Sequence, residues 1–211
     1  MSFGGRRRGR RRYSLNMQIE PVTLEGQFVR LEPLAIAHHA GLCAVGLEAE
    51  IWRWMPQLIA TPDDMRAFIA AAVKAQTEGA ALPFATVEKA SGKPVGSTRF
   101  FNFDRAHRRT EIGWTWIAPP WQRTAVNTEA KYLMLRHAFE TWRCIRVEFK
   151  TDSLNERSRA ALLRLGATEE GTFRNHMIMP DGRIRHSVYY SITDAEWPQV
   201  KADLERKLTQ R

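Results

Sequence analysis

The chain has 211 residues, 44% of them hydrophobic, which suits one domain with a sizeable core. Its two cysteines, Cys43 and Cys144, are too few for a disulfide framework and are not spaced for a metal, so no metal is expected. No apolar run reaches the roughly 18 residues of a membrane span, and no apolar segment follows the basic start as in a secretory signal, so a reducing cytoplasm is the expected compartment.

The net charge of +9 is local. Arg6, Arg7, Arg8, Arg10, Arg11 and Arg12 supply six of it, and the rest of the chain carries +3. Such an arm can hold RNA, DNA or an acidic ribosomal surface through phosphate contacts and counterion release. It also reads as a disordered solvated tail, or as lying upstream of a first residue at Met17. Residues 1–16 are therefore expected to be disordered, and residues 17–211 to form one domain.

In chain order, Val22 to Leu34 is extended, with a turn at Glu25-Gly26. Ile36 to about Trp54 is predicted as one alanine-rich helix ending in the cluster Trp52-Arg53-Trp54-Met55-Pro56. Thr61-Pro62-Asp63-Asp64 is a helix start: a threonine cap, proline at the first position and acids in the first turn. That helix runs to about Thr77, and Gly79 ends it. Leu82 to Glu88 and Pro94 to Phe103 form a hairpin around Lys89-Ala90-Ser91-Gly92. Asp104 to Arg109 is a charged turn. Ile145 to Lys150 is a short strand, Asn155 to Leu165 a helix stopped by Gly166, and Gly171 to Ile178 and Ile184 to Ile192 are strands around Pro180-Asp181-Gly182. Asp194 to Lys207 is a terminal helix with Pro198 in its first turn. This order reads as α+β or α/β, a mixed sheet packed between helices.

Glu111 to Trp142 organises the rest. Glu111-Ile112-Gly113-Trp114-Thr115-Trp116-Ile117 is a strand that Pro119 and Pro120 must end, since neither can donate to a ladder. A helix follows from Thr128, with Glu129, Arg136, Glu140 and Arg143 on one polar stripe and the remaining surface buried. Asn127 or Thr128 is its expected cap. A strand feeding a loop into a helix N-terminus offers free N–H groups and positive dipole to a phosphate. It is equally compatible with an ordinary capped helix.

Gln122-Arg123-Thr124-Ala125-Val126-Asn127 resembles the Gln/Arg-x-x-Gly-x-Gly/Ala loop of the GCN5-related N-acetyltransferases, with Ala125 and Asn127 where glycines are usual. The run Asn127-Thr128-Glu129-Ala130-Lys131-Tyr132-Leu133-Met134-Leu135-Arg136-His137-Ala138-Phe139-Glu140 is similar to the branch related to ribosomal-protein N-terminal acetyltransferases. The resemblance extends from about Val22 to about Leu208. It implies an α/β/α fold, with a mixed, mostly antiparallel sheet of about seven strands flanked by helices. It implies acetyl-CoA as co-substrate, the pyrophosphate on Gln122 to Thr128, and a primary amine as acceptor, such as a protein N-terminus. It also leaves room for a homodimer.

Acyl transfer from a thioester to an amine needs a proton acceptor, an oxyanion donor and a protonated leaving thiolate. It needs no nucleophile on the protein, and the sequence has no Gly-x-Ser-x-Gly elbow and neither cysteine beside an evident base. Glu111, on the strand leading into the loop, is the candidate base and acceptor-side residue; otherwise it is an outward carboxylate pairing Arg109 or Arg99. The resemblance gives Asn155 to the pantetheine arm and Ser158 to the departing thiolate, while Asn155 alone reads as an N-cap. It places the oxyanion on backbone N–H near Trp114 to Ile117, including Trp116 and Ile117. Trp52, Trp54, Met55 and the turn Met179 to Arg183 would border the acceptor cleft, or the tryptophans simply pack helices together. Arg123, Arg157 or Arg174 would meet the carboxylate of a succinyl donor. The alternatives are a non-catalytic nucleic-acid- or ribosome-binding module with this fold, and acetylation of a tRNA-linked or antibiotic amine.

Overall fold

The computed structural model describes residues 17–210, so the expectations for the arginine arm lie outside the described residues. One eight-stranded sheet runs through them. Its strands are β1 (Leu24–Glu25), β2 (Val29–Pro33), β3 (Ala81–Glu88), β4 (Pro94–Asp104), β5 (Arg109–Ile117), β6 (Arg146–Asp152), β7 (Thr168–Ile178) and β8 (Ile184–Thr193). Their spatial order is β1-β2-β3-β4-β5-β6-β8-β7. Every pairing is antiparallel except β5 with β6. The expected seven strands become eight because Val22 to Leu34 folds back on itself at Gly26.

Helices cover both faces. On one face α4 (Ala125–Arg136), α5 (Glu156–Leu165) and α6 (Trp197–Thr209) enclose the larger core, built on Phe100, Ile112, Leu133, Val147, Phe149 and Leu204. On the other, α1 (His39–Gly46), α2 (Ala49–Trp52) and α3 (Pro62–Thr77) lie over β3, β4 and β5. Leu42, Trp52, Phe68, Ile69, Val87 and Trp116 fill that smaller core. The alternation of each strand sends one set of side chains into each layer.

Local chemistry sets most boundaries. Thr61 Oγ1 accepts from Asp64 N while Asp64 Oδ2 accepts from Thr61 N, so α3 starts on a reciprocal cap with Pro62 in its first turn. Gly166 ends α5 at φ +102°, a left-handed value that glycine adopts without strain.

Four expectations are corrected. The helix predicted over Ile36 to Trp54 is a 3₁₀ turn (Ile36–His38), then α1, then α2, with Glu48 extended between the last two. This bend lets Trp52 Nε1 donate to Gly46 O at 2.7 Å, and a Cβ on Gly46 would lie 2.6 Å from the Trp116 ring. α4 begins at Ala125 rather than Thr128, because Thr124 is the cap: its Oγ1 accepts from Val126 N at 3.2 Å. Beyond Arg136 the helix widens into a π turn over His137–Thr141. Glu129 is not on a solvent stripe. It is buried, and its carboxylate accepts from Gln27, Phe28 and Val29 N at 2.7–2.8 Å, tying the β1–β2 turn to α4. α6 starts at Trp197, later than Asp194, because Glu196 takes the Thr193 N–H and hydroxyl.

Candidate functional site

Two irregularities of β5 open the sheet beside Glu111. Between the pairs Ser97–Trp116 and Arg99–Gly113 the β4 side advances two residues and the β5 side three, so β5 carries a bulge. Trp114 at the bulge has φ +52°, a left-handed value costly for a bulky side chain. On the opposite edge β5 pairs with β6 only from Arg109–Arg146 to Glu111–Glu148. Past Glu111 the two strands part, and residues 112–117 have no ladder partner on β6. The parting is a wedge lined on one side by backbone that can donate hydrogen bonds.

The loop from Ala118 to Thr124 closes the mouth of this wedge. Pro119–Trp121 form a 3₁₀ turn. Gln122 Nε2 donates to Ile117 O at 2.7 Å, and its Oε1 accepts from Arg157 of α5. The side chains of Gln122 and Arg157 thus bind the loop to strand and helix. Thr124 Oγ1 donates to Trp121 O at 2.7 Å, so one hydroxyl closes the loop and caps α4. The two non-glycine positions carry no backbone penalty: neither Ala125 nor Asn127 has a positive φ, and in this loop only Arg123 does, at +63°. Asn127 and Thr128 lie in the first turn of α4, and Asn127 Oδ1 is sealed from solvent with no hydrogen-bond partner. Val126 packs into the larger core, which aims the helix start at the loop.

α5 starts on the other side of the wedge. Asn155 Oδ1 accepts from Ser158 N at 3.0 Å, a side-chain cap. Asp152, fully buried, accepts from Leu154 N at 3.0 Å and so shapes the turn before it. Ser158 is half-buried in the first turn, and no described residue engages its hydroxyl.

Glu111 is 2% exposed. Ile112 enters the larger core, so Glu111 points to the opposite face. It pairs neither Arg109 nor Arg99. Asn102, held at φ +51° in a second irregularity of the β4–β5 ladder, donates from Nδ2 to Glu111 Oε2 at 2.9 Å. Lys150 Nζ on β6 lies 3.4 Å from the carboxylate, and Oε1 is sealed with no hydrogen bond. Burial raises the Glu111 carboxyl above the usual carboxylate range, and the charge of Lys150 and the Asn102 bond only partly offset it. Asn102 also lines a surface cleft of about 850 Å³ with Phe103, Asp104, Arg109 and Glu148.

Beyond Lys150, on the Glu111 side of the sheet, β7 and β8 carry a polar chain that is buried at Arg185 and Ser187. Lys150 Nζ stands over the rings of Phe101 and Tyr189 at 5.4 and 6.0 Å. Tyr189 Oη meets His176 Nε2 at 3.4 Å, His176 Nδ1 meets Ser187 Oγ at 3.0 Å, and Arg185 Nε donates to the same Oγ at 2.9 Å. Burial lowers the His176 pKa. Arg183 donates to Asp152 Oδ2 at 2.7 Å and stacks on Trp54 at 5.5 Å, so the β7–β8 turn and Trp54 do meet. Trp52 does not join them. Its ring is buried against Phe68 and Trp116, which removes it from any cleft. Met179 is buried too. Arg157 lies at the loop, whereas Arg174 is on edge strand β7, lining a shallow cleft of about 710 Å³.

Cys144 is buried, which pushes its thiol up to about 12. Cys43 has a neighbour the sequence did not reveal: His39 Nε2 is 3.4 Å from Sγ. That nitrogen donates to Pro62 O at 2.8 Å and so cannot take the thiol proton, and burial raises the Cys43 pKa.

The site residues that sequence reasoning missed are Asn102, Lys150 and Lys131. Lys131 of α4 is buried beneath the bulge, where Nζ donates to Thr115 Oγ1 at 2.6 Å and Thr98 Oγ1 at 3.1 Å. Burial pushes its pKa down to about 7. A lysine amid the apolar positions of a buried helix was the one available signal.

A mixed sheet with one parallel pair, parted beside a buried carboxylate and fronted by a helix N-terminus, defines an α/β/α architecture with a candidate cleft at the parting. The acetyltransferase (GNAT) domain family matches residues 29–168, and the chain belongs to that family. The Bacillus subtilis (strain 168) protein named "Putative ribosomal N-acetyltransferase YdaF" is 34% identical over 110 residues, which cover 52% of this chain and 59% of that protein, under two thirds of its length. The crystal structure of a GCN5-related N-acetyltransferase from Brucella melitensis superposes with TM-score 0.84 at 32% identity, covering 90% of this chain and 86% of that one. A "putative acetyltransferase" from T. thermophilus superposes with TM-score 0.82 at 37% identity, covering 91% of this chain and 100% of that one.

Proposed function

We propose that the chain transfers an acetyl group from acetyl-CoA to a primary amine by direct attack in a ternary complex. The observation that carries this reading is the parted β5–β6 wedge with Glu111, its carboxyl raised by burial, at its closed end. Pantetheine fits the wedge as an added strand would, bonding to the free backbone of residues 114–117. The pyrophosphate goes to the N–H groups at the start of α4, beside Gln122, Arg123, Thr124 and Asn127. Asn155 bonds the pantetheine arm from the α5 side.

In the reaction the amine nitrogen bonds to the thioester carbonyl carbon, and backbone N–H at the bulge, near Trp116 and Ile117, stabilises the oxyanion. Glu111 accepts the amine proton, directly or through water. The carbon–sulfur bond then breaks, and the Ser158 hydroxyl stabilises the leaving thiolate by a hydrogen bond; the thiolate takes its proton from water as Glu111 returns the amine proton to solvent, giving amide and free coenzyme A. No acyl-enzyme is needed. The acceptor approaches over β6 and β8, past Trp54 and Arg183. A protein N-terminus suits this polar face, in keeping with the name of the Bacillus subtilis relative. Two free thiols suit a reducing cytoplasm.

The rival reading, a non-catalytic nucleic-acid- or ribosome-binding module with this fold, draws on the basic arm and on the missing loop glycines. The negative φ of Ala125 and Asn127 weakens the second of these. Calorimetry with acetyl-CoA tests the proposal. Micromolar binding is expected, weaker by about 1 kcal/mol or more in Asn155→Ala. Amine-dependent release of free coenzyme A should then follow in the wild type. Absence of binding would overturn the coenzyme site.

A further inference from the structure

Arg99 of β4 faces α1–α3, directly across the ladder from Gly113 and beside the bulge. It is 8% exposed. Its guanidinium lies 5.2 Å from the Phe68 ring and 4.6 Å from the Trp114 ring. No carboxylate pairs it among the described residues, and none of its nitrogens has a hydrogen-bond acceptor there. Arg185, buried on the same sheet face, bonds Ser187 Oγ and Trp54 O. The attraction of two aromatic rings is smaller than the cost of holding an unpaired charge out of water. The fold keeps this cation although nothing within it settles the charge.

Nε of Arg99 is sealed and unpartnered, while its two terminal nitrogens keep contact with solvent. Glu111 Oε1, sealed without a hydrogen bond and with Lys150 Nζ 3.4 Å away, lies 3.8 Å from where a Gly113 Cβ would stand. The Phe101 ring packs over Gly113, 2.9 Å from where that Cβ would stand, and separates the two groups. An anion acceptor and a proton acceptor therefore lie on one face of the sheet without satisfying each other.

We infer that Arg99 is a carboxylate-binding subsite of the acyl-transfer cleft, occupied when an amine stands at Glu111. The inference rests on the acyl-transfer reading. The carboxylate can arrive on the acceptor, as an acidic side chain next to a peptide N-terminus, or on the acyl chain, as the far end of a succinyl thioester. The guanidinium is clamped by two rings, so it offers a fixed fork to a planar carboxylate.

The test measures coenzyme A release with peptides that differ only in Asp or Asn at the second residue, each with acetyl-CoA and with succinyl-CoA. Wild type is expected to favour the Asp peptide, or the succinyl donor, by tenfold or more in kcat/KM. Arg99→Met keeps the packing stem and should bring that ratio to about one, whatever its absolute rate, and Arg99→Lys should keep part of it. A preference that survives in Arg99→Met, or none in wild type, overturns the subsite. If no pair turns over, the acyl-transfer reading fails, and the thermal midpoint in 20 mM succinate against chloride of equal ionic strength decides. A rise in wild type that is lost in Arg99→Met supports the anion site. Equal shifts in both overturn it.

Discussion

Glu111 owes its chemistry to burial rather than to identity. A carboxyl whose charged form is poorly solvated holds its proton to higher pH, so the rate should climb with pH through that raised pKa. Glu111→Gln should remove this acidic limb and lower kcat/KM by roughly 10²- to 10⁴-fold, as for other positioned bases. Asn102 bonds the ionised form, so Asn102→Ala should move the limb to higher pH while the fold persists; a limb that stays in place would remove Asn102 from the mechanism. Lys131 carries the opposite sign. Its folded pKa, about 7, is below its ordinary value, so the unfolded chain binds the extra proton between about pH 7 and 10.5. Stability should therefore rise with pH across that window and be lost as pH falls through 7. The effect is of order a few kcal/mol, and Lys131→Met should flatten it in denaturant titrations. Both side chains were ordinary in the sequence, where Glu111 stood as either base or surface ion. Burial between strands removed the surface-ion reading, and it depends on partners up to 39 positions away.

At the scale of elements, the helix ends fixed by a local cap were the legible part. Thr61, Asn155 and Gly166 each act on backbone within a few residues, so their roles follow from local sequence. Thr124 was overlooked as a cap because Asn127 and Thr128 are equally good cap residues. Thr124 won by also bonding Trp121 O, a loop contact that local pattern does not contain. The β1–β2 turn is held by a distant group. Glu129→Ala would leave three N–H donors facing a void and should cost on the order of 3 kcal/mol in denaturant unfolding. Gly26→Ala should also destabilise, since its Cβ would lie 2.3 Å from Glu129 Cδ. Either substitution behaving as wild type would mean that the turn is held by other contacts. The bulge belongs to this scale too. It needs a mismatch between two strands, so no single stretch of chain records it.

At the scale of the whole molecule, the described body starts at Met17. Met17 is buried, and Trp142 Nε1 donates to Gln18 O at 2.9 Å. Removing residues 1–16 should leave the thermal midpoint and acetyl-CoA affinity unchanged and take six arginines from the net charge. Removing three more should cost about 1–3 kcal/mol through a lost core side chain and an orphaned indole N–H. Equal midpoints for the two truncations would take Met17 and Gln18 out of the fold. Most of the element order, the strand–loop–helix unit and the family resemblance were legible in the sequence alone, because hydrophobic period, proline and cap chemistry act over a few residues. The parted β5–β6 pair, the bulge at Trp114, the Glu111–Asn102–Lys150 cluster and the unpaired Arg99 were decided only by the tertiary structure. Each depends on strand register and on which side chains the two helical layers cover, and those are set by packing between segments far apart in the chain.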